Sequence, residues 1–103
     1  MMTLDALTDQ MLAELRMETG ARGPGLVLWG ETPEELELAL YNMLPNLEEP
    51  IRGWVRKVLP DLVETSAREG YTVLVLVPTE EGVYAKGASV QLEYLPLEGH
   101  LEG

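Results

Sequence analysis

The stretch YTVLVLVP, residues 71–78, restricts the possible folds of this chain more than any other segment. It is an apolar, largely β-branched run, which predicts a central strand covered on both faces. Thr79-Glu80-Glu81-Gly82 then predicts a hairpin turn, with residues 83–95 as the returning strand. Around Lys86-Gly87 the pattern breaks, which indicates a bulge or a second turn. Polar residues alternate with apolar ones beyond that point, so we expect one exposed face.

Three segments have apolar residues at helical spacing: 3–19, 32–44 and 50–69. Pro60 lies inside the third segment, where it predicts a kink or two short helices joined end to end. The second segment is apolar nearly all round, which is typical of a helix buried on more than one side.

A short strand is predicted at residues 26–29, after the glycine-rich linker 20–25. Because Leu26–Trp29 is apolar on both faces, an interior position in the sheet is favoured. The order of elements predicts a single α+β domain over residues 1–103, with a sheet of about three strands and helices packed mainly on one face. Residues 96–103 are expected to form a flexible tail.

The stretch LWGETPEELE, residues 28–37, places a glycine and a helix start directly after a strand. That arrangement can bind an anion. However, Thr32 can cap the helix, Pro33 suits its first position, and Glu35 can reach back to the cap backbone. Acidic side chains also surround the helix end. We therefore interpret this corner as structural rather than as a ligand site.

The composition argues against several functions. The net charge of −11, from 18 acids and 7 bases, disfavours nucleic acids and anionic membranes as partners. Without cysteine, and with His100 as the lone histidine, neither a metal site nor a nucleophilic catalytic pair is predicted, and no cofactor is expected. No stretch has the length of a membrane span, so a cytoplasmic location is the expectation. Scarce Asn and Gln, with abundant Glu and Leu, resemble a thermophilic composition.

Two functional hypotheses remain, and neither involves catalysis. The first is an interaction or assembly module that acts as a homodimer, with Leu38 and Tyr41 on the second apolar side of helix 32–44 as interface residues. A strand edge over residues 88–94 is the competing dimer contact.

The second hypothesis is a small-molecule-binding protein. Its pocket would lie near Trp29, Arg52 and Trp54, with Arg56 adding to the basic cluster of the third helix. These four residues are the candidate ligand-binding residues. Solvated surface is the competing interpretation of the basic ones.

Overall fold

The computed structural model describes residues 3–91 of the protein, and these residues form an α+β fold. The elements, in chain order, are α1 (Leu4–Thr19), β1 (Leu26–Trp29), α2 (Pro33–Met43), a short 3-10 turn (Leu44–Asn46), α3 (Ile51–Glu69), β2 (Val73–Thr79) and β3 (Gly82–Ala88). The predicted fold class is therefore confirmed. The predicted tail, 96–103, lies outside the described residues.

Capping side chains and glycines determine where the helices begin and end. Thr3 caps α1, because its hydroxyl accepts a hydrogen bond from the Ala6 amide at 3.1 Å. Gly20 ends α1 with a φ of 72°, a left-handed conformation that glycine adopts without strain. By contrast, α3 runs as one helix through Pro60. Of the two predicted alternatives, two short helices joined end to end are not formed, and a kink at Pro60 stays a prediction.

The sheet is antiparallel with the order β1-β2-β3, so β2 is central as predicted. The interior position expected for residues 26–29 was wrong, because β1 is an edge strand. The returning strand is also shorter than predicted: β3 ends at Ala88, and residues 92–95 lie outside the described part. Its register against β2 is continuous from Gly82 to Ala88, without the bulge expected near Lys86.

Both faces of the sheet are covered, and this corrects the expectation that the helices pack mainly on one face. The side chains of β2 alternate between the two sides, as a strand requires. Val73, Val75 and Val77 pack with the buried residues of α1. Leu74 and Leu76 pack on the opposite side with residues of α2 and α3. Because every β2 side chain from Val73 to Val77 is almost fully buried, this strand links two hydrophobic clusters.

An ion pair also joins α1 to β3. The Lys86 ammonium lies 3.3 Å from the carboxylate of Glu18 and 3.8 Å from that of Glu14. Both acids lie on α1, four residues apart, so they occupy one side of the helix. The pair is largely exposed and adds little to stability, but it gives β3 a charged side chain on the α1 face of the sheet.

Candidate interaction surface

The corner between β1 and α2 is a closed structural joint. The Glu35 amide donates to the Thr32 hydroxyl at 3.2 Å, and the Glu35 carboxylate accepts from the Glu31 amide at 3.0 Å. The predicted cap is thus present, although Glu35 reaches the residue before the cap. A Cβ atom placed on Gly30 would lie 2.6 Å from the Leu36 amide nitrogen, so only glycine fits beneath the helix start.

β1 has an open edge in the described part of the chain. Its four residues pair only with β2, in the register Leu26↔Leu76 to Trp29↔Val73. Two of its side chains are unusually exposed for apolar residues in a strand: Val27 is 42% exposed and Trp29 is 40% exposed. Both lie on the same side of the sheet, because alternate residues of a strand share a face.

The exposure of Val27 and Trp29 follows from the position of α1. Their β2 partners, Val75 and Val73, are fully buried under α1. α1 packs chiefly against β2 and β3, so it covers β1 only in part. The other side of β1 is different, because Leu28 is buried against residues of α2. One face of β1 is therefore half open, and the same strand has an open edge.

α2 carries the second exposed apolar pair. Leu38 is 61% exposed and Tyr41 is 48% exposed, whereas Leu36 and Leu40 are fully buried against the sheet. At about 100° of rotation per residue, Leu38 lies on the side of the helix that points away from the sheet. These two predicted interface residues are thus accessible, on a different side of the molecule from the open face of β1.

The structure does not bring the predicted ligand-binding residues together. Trp29 pairs with Val73 at the start of β2. Trp54 instead lines a cavity of about 210 Å³ beside the hairpin turn that follows Thr79, at the other end of the strand. Those two ends are separated by six residues, or roughly 20 Å of strand. Trp29 also lies on the α1 face of the sheet, whereas α3, which carries Trp54, packs on the opposite face.

The two arginines in that predicted set lie in the first turns of α3. Arg52 is held locally, with its Nε 3.3 Å from a carboxylate oxygen of Glu49. Glu49 also accepts a hydrogen bond from the Gly53 amide at 3.0 Å. That backbone hydrogen bond, with smaller contributions from Arg52 and Arg56, lowers the pKa of the Glu49 carboxyl. Arg56 is exposed.

A groove with a volume of about 590 Å³ lies elsewhere, between α3 and β3. Its lining includes apolar residues of both elements together with Asp61 and Ser66. The Ser66 hydroxyl is buried and has no hydrogen-bond partner within residues 3–91. Such an orphaned polar group is uncommon in folded proteins. Tyr71 also lines the groove, and its ring packs directly on Gly87, where there is no room for a Cβ atom.

The described part of the chain offers neither a metal site nor a membrane-spanning helix. Residues 3–91 contain no cluster of three or more His, Cys, Asp or Glu side chains that could hold a metal ion. No helix in the same range combines the length and apolar character needed to cross a bilayer. His100 lies outside the described residues.

No protein-family model, curated protein or solved structure matches this chain.

Sequence reasoning missed Val27 as a surface residue. An apolar run such as LVLW is typical of a strand buried on both sides, and this pattern hides an edge position. The length of the run LVLW is one signal in the sequence that indicates an edge strand. Four residues form a very short strand, and very short strands are one device for limiting the open edge of a sheet.

Proposed function

We propose that this chain is a homodimeric interaction module without catalysis of its own. The supporting observation is the open edge of β1, where unpaired main chain adjoins the half-exposed side chains of Val27 and Trp29. Apolar surface beside an unpaired strand edge is a common site of protein–protein contact. Strand addition then supplies main-chain hydrogen bonds, and apolar contacts add affinity.

We prefer β1 to α2 as the dimer contact because α2 can offer a partner only its side chains. The backbone hydrogen bonds of a helix interior are already made within the helix. Leu38 and Tyr41 therefore present an apolar surface without the main-chain groups that an edge strand offers. We retain them as the competing contact, since exposed apolar residues of this size can also mark an interface.

Sedimentation velocity over a concentration series tests this proposal. The chain has a mass of 11.4 kDa, so a dimer and a monomer separate clearly. We expect a dimer that dissociates on dilution in the micromolar range, because a four-residue strand gives a small interface. A monomer at every concentration up to the millimolar range would refute it.

Small-molecule binding is the second candidate function, supported by the groove between α3 and β3. Its polar and apolar lining, together with the buried Ser66 hydroxyl, resembles the mixed lining of ligand sites. The charged lining residues are two acids, Asp61 and Glu18, and one base, Lys86, and this balance favours a ligand with a positive charge and an apolar body. Benzylamine is a suitable probe, with amide NMR shifts as the measurement. Shifts centred on residues 61–66 would support this function, and their absence at millimolar probe would exclude this ligand class.

A further inference from the structure

The hydrogen-bonding directions within the sheet identify which β1 groups are free. The Gly30 amide donates to the Thr72 carbonyl at 2.9 Å, and this bond continues the β1–β2 register. In an antiparallel pair, residues alternate between pointing their N–H and C=O groups toward the partner strand and away from it. The main-chain N–H and C=O groups of Leu26 and Leu28 therefore point toward β2. The main-chain groups of Val27 and Trp29 face the open edge.

The residues with outward-facing backbone are also the residues with exposed side chains. Val27 and Trp29 present N–H and C=O groups at the edge and apolar side chains on the half-open face. A strand added at this edge would therefore satisfy the main chain and cover the side chains together. This coincidence distinguishes β1 from α2 and from β3, whose side chain at Lys86 is charged.

Val27 and Trp29 lie two residues apart, so a second, antiparallel copy of β1 can place its Trp29 opposite Val27 and its Val27 opposite Trp29. We propose that two copies of this chain pair through β1 in antiparallel orientation, with Val27 opposite Trp29 of the partner subunit. This proposal rests on the homodimer proposed above and gives its contact. The two-fold axis passes at Leu28, so each subunit donates to and accepts from the other at both residues. The two three-stranded sheets then form one continuous sheet.

Charge at the two ends of β1 favours the same orientation. Arg22 precedes the strand and Glu31 follows it, and both side chains are exposed. Arg22 has no ion pair within residues 3–91, in a chain of net charge −11. Antiparallel pairing brings the Arg22 end of one strand to the Glu31 end of the other. A parallel arrangement would instead bring like charges together at each end.

A disulfide at the axis tests the register. The chain has no cysteine, so Leu28→Cys introduces a single thiol. In the proposed pairing, residue 28 faces itself across a non-hydrogen-bonded position, where the Cα atoms lie about 4.5 Å apart, within the range that a disulfide spans. We expect rapid formation of a covalent dimer under mild oxidation. Leu38→Cys is the matched control, and we expect it to remain monomeric on a denaturing gel.

Val27→Lys tests the edge without relying on a buried position. The substitution places a charge at the contact, and we expect at least about a tenfold increase in the dimer dissociation constant, because an unpaired charge is costly to bury. Leu38→Lys is the control at a leucine of α2 that is 61% exposed, against 42% for Val27, and it should dimerise as the parent does. Circular dichroism melts of all three proteins verify that the monomer fold is retained.

Charge variants at the two ends of β1 test the antiparallel orientation at low salt, where screening is weak. Arg22→Glu should weaken the dimer, because acids then lie at both ends of each β1 strand. The double variant with Glu31→Arg should restore it, because the two ends of each strand again carry opposite charges. Restoration supports the antiparallel orientation. Weakening by both variants would refute the pairing of these two ends.

The results of these experiments distinguish a failure of the β1 contact from a failure of the homodimer proposal. A parent protein that is monomeric refutes both. A parent dimer that survives Val27→Lys, but is lost with Leu38→Lys, keeps the homodimer and overturns the β1 contact. Loss of the dimer with Val27→Lys, but no disulfide at position 28, overturns the register. Binding of an unrelated strand at the edge of a monomeric parent would also overturn the self-pairing.

Discussion

Gly30 lies directly beneath the first turn of α2, and its lack of a side chain permits the close approach. A Cβ atom there would meet the Glu35 Cβ and the Leu36 amide nitrogen, each at 2.6 Å. Helix backbone cannot move aside as a flexible side chain can. The residue matters for its size rather than for an unusual φ, so this corner differs from the ends of α1 and α3, where glycine adopts a positive φ.

We expect Gly30→Ala to lower the free energy of unfolding by about 1–3 kcal/mol, the usual cost of forcing extra volume into a packed site. Urea denaturation monitored by circular dichroism measures the change. Gly23→Ala is a control in which a Cβ atom meets nothing within 4 Å, although its φ of 113° carries a backbone cost of its own. An unchanged midpoint for Gly30→Ala would mean that α2 adjusts freely.

Thr32 contributes to the same corner through a hydrogen bond rather than through its size. Its hydroxyl satisfies the Glu35 amide, one of the free donors at a helix start. We expect Thr32→Ala to cost about 1 kcal/mol of stability, and Thr32→Ser to cost much less because serine is an equally good cap. Similar losses for alanine and serine would show that the methyl group, rather than the hydroxyl, is responsible.

The corner was predictable from sequence because capping is local chemistry. Thr32, Pro33 and Glu35 lie within four positions, and their roles depend on no distant contact. Arg52 shows the limit of such reasoning. Glu48 lies four residues before Arg52, one helical turn away, yet the carboxylate that binds the guanidinium belongs to Glu49, which also accepts from the Gly53 amide.

α3 is a continuous helix despite Pro60, and the cost of that proline is offset by burial on both sides of it. Val55 and Leu59 precede it and are buried, and Leu62 and Val63 follow it and pack, partly buried, against the core. Proline lacks the amide that would bond one turn back, and its ring crowds the preceding turn. Pro60 itself is exposed, so it makes little contribution to the core.

Pro60→Ala should therefore stabilise the protein, by up to about 3 kcal/mol, the difference between proline and alanine in a helix interior. Part of that gain is lost because alanine makes the unfolded chain more flexible. Thermal denaturation is the measurement, with Ala67→Gly as a control of opposite sign near the end of the same helix. A lower melting temperature for Pro60→Ala would contradict this account.

The order of strands was harder to predict than their existence. The run Val73–Val77 is buried on both faces and central, as its composition indicated. Leu26–Trp29 has the same character but lies at the edge, because α1 covers β2 and β3 and leaves β1 half open. Composition records whether a strand is apolar. It does not record how far a helix extends across the sheet, and that distance determines the exposure of Val27 and Trp29.

The two exposed residues of β1 matter to the energy of the whole molecule. Covering a half-exposed valine or tryptophan stabilises by about 1 kcal/mol, and a two-fold axis doubles each contribution. Small domains retain only a narrow margin of stability, so dimer formation would be a substantial addition. The melting temperature should then rise with protein concentration, and it should not rise for Val27→Lys.

The charge of the molecule argues against nucleic acid as a partner. Eighteen acids and seven bases give a net charge of −11, and three of the described basic residues, Arg52, Arg68 and Lys86, are already paired with carboxylates. We expect no gel shift of duplex DNA or single-stranded RNA at micromolar protein and about 0.15 M salt. A shift that disappears as salt rises would contradict this prediction.

Lys86 has an effect beyond its ion pair with Glu14 and Glu18. If both outer strands of a sheet accept partners, copies add without limit and a fibre grows. In this chain one outer strand is apolar and the other carries a cation anchored to the neighbouring helix. If two copies pair through β1 as proposed, each uses the same strand, and no apolar strand edge is left for a third copy. The charged Lys86 on β3 would then protect the two ends of the joined sheet from further growth.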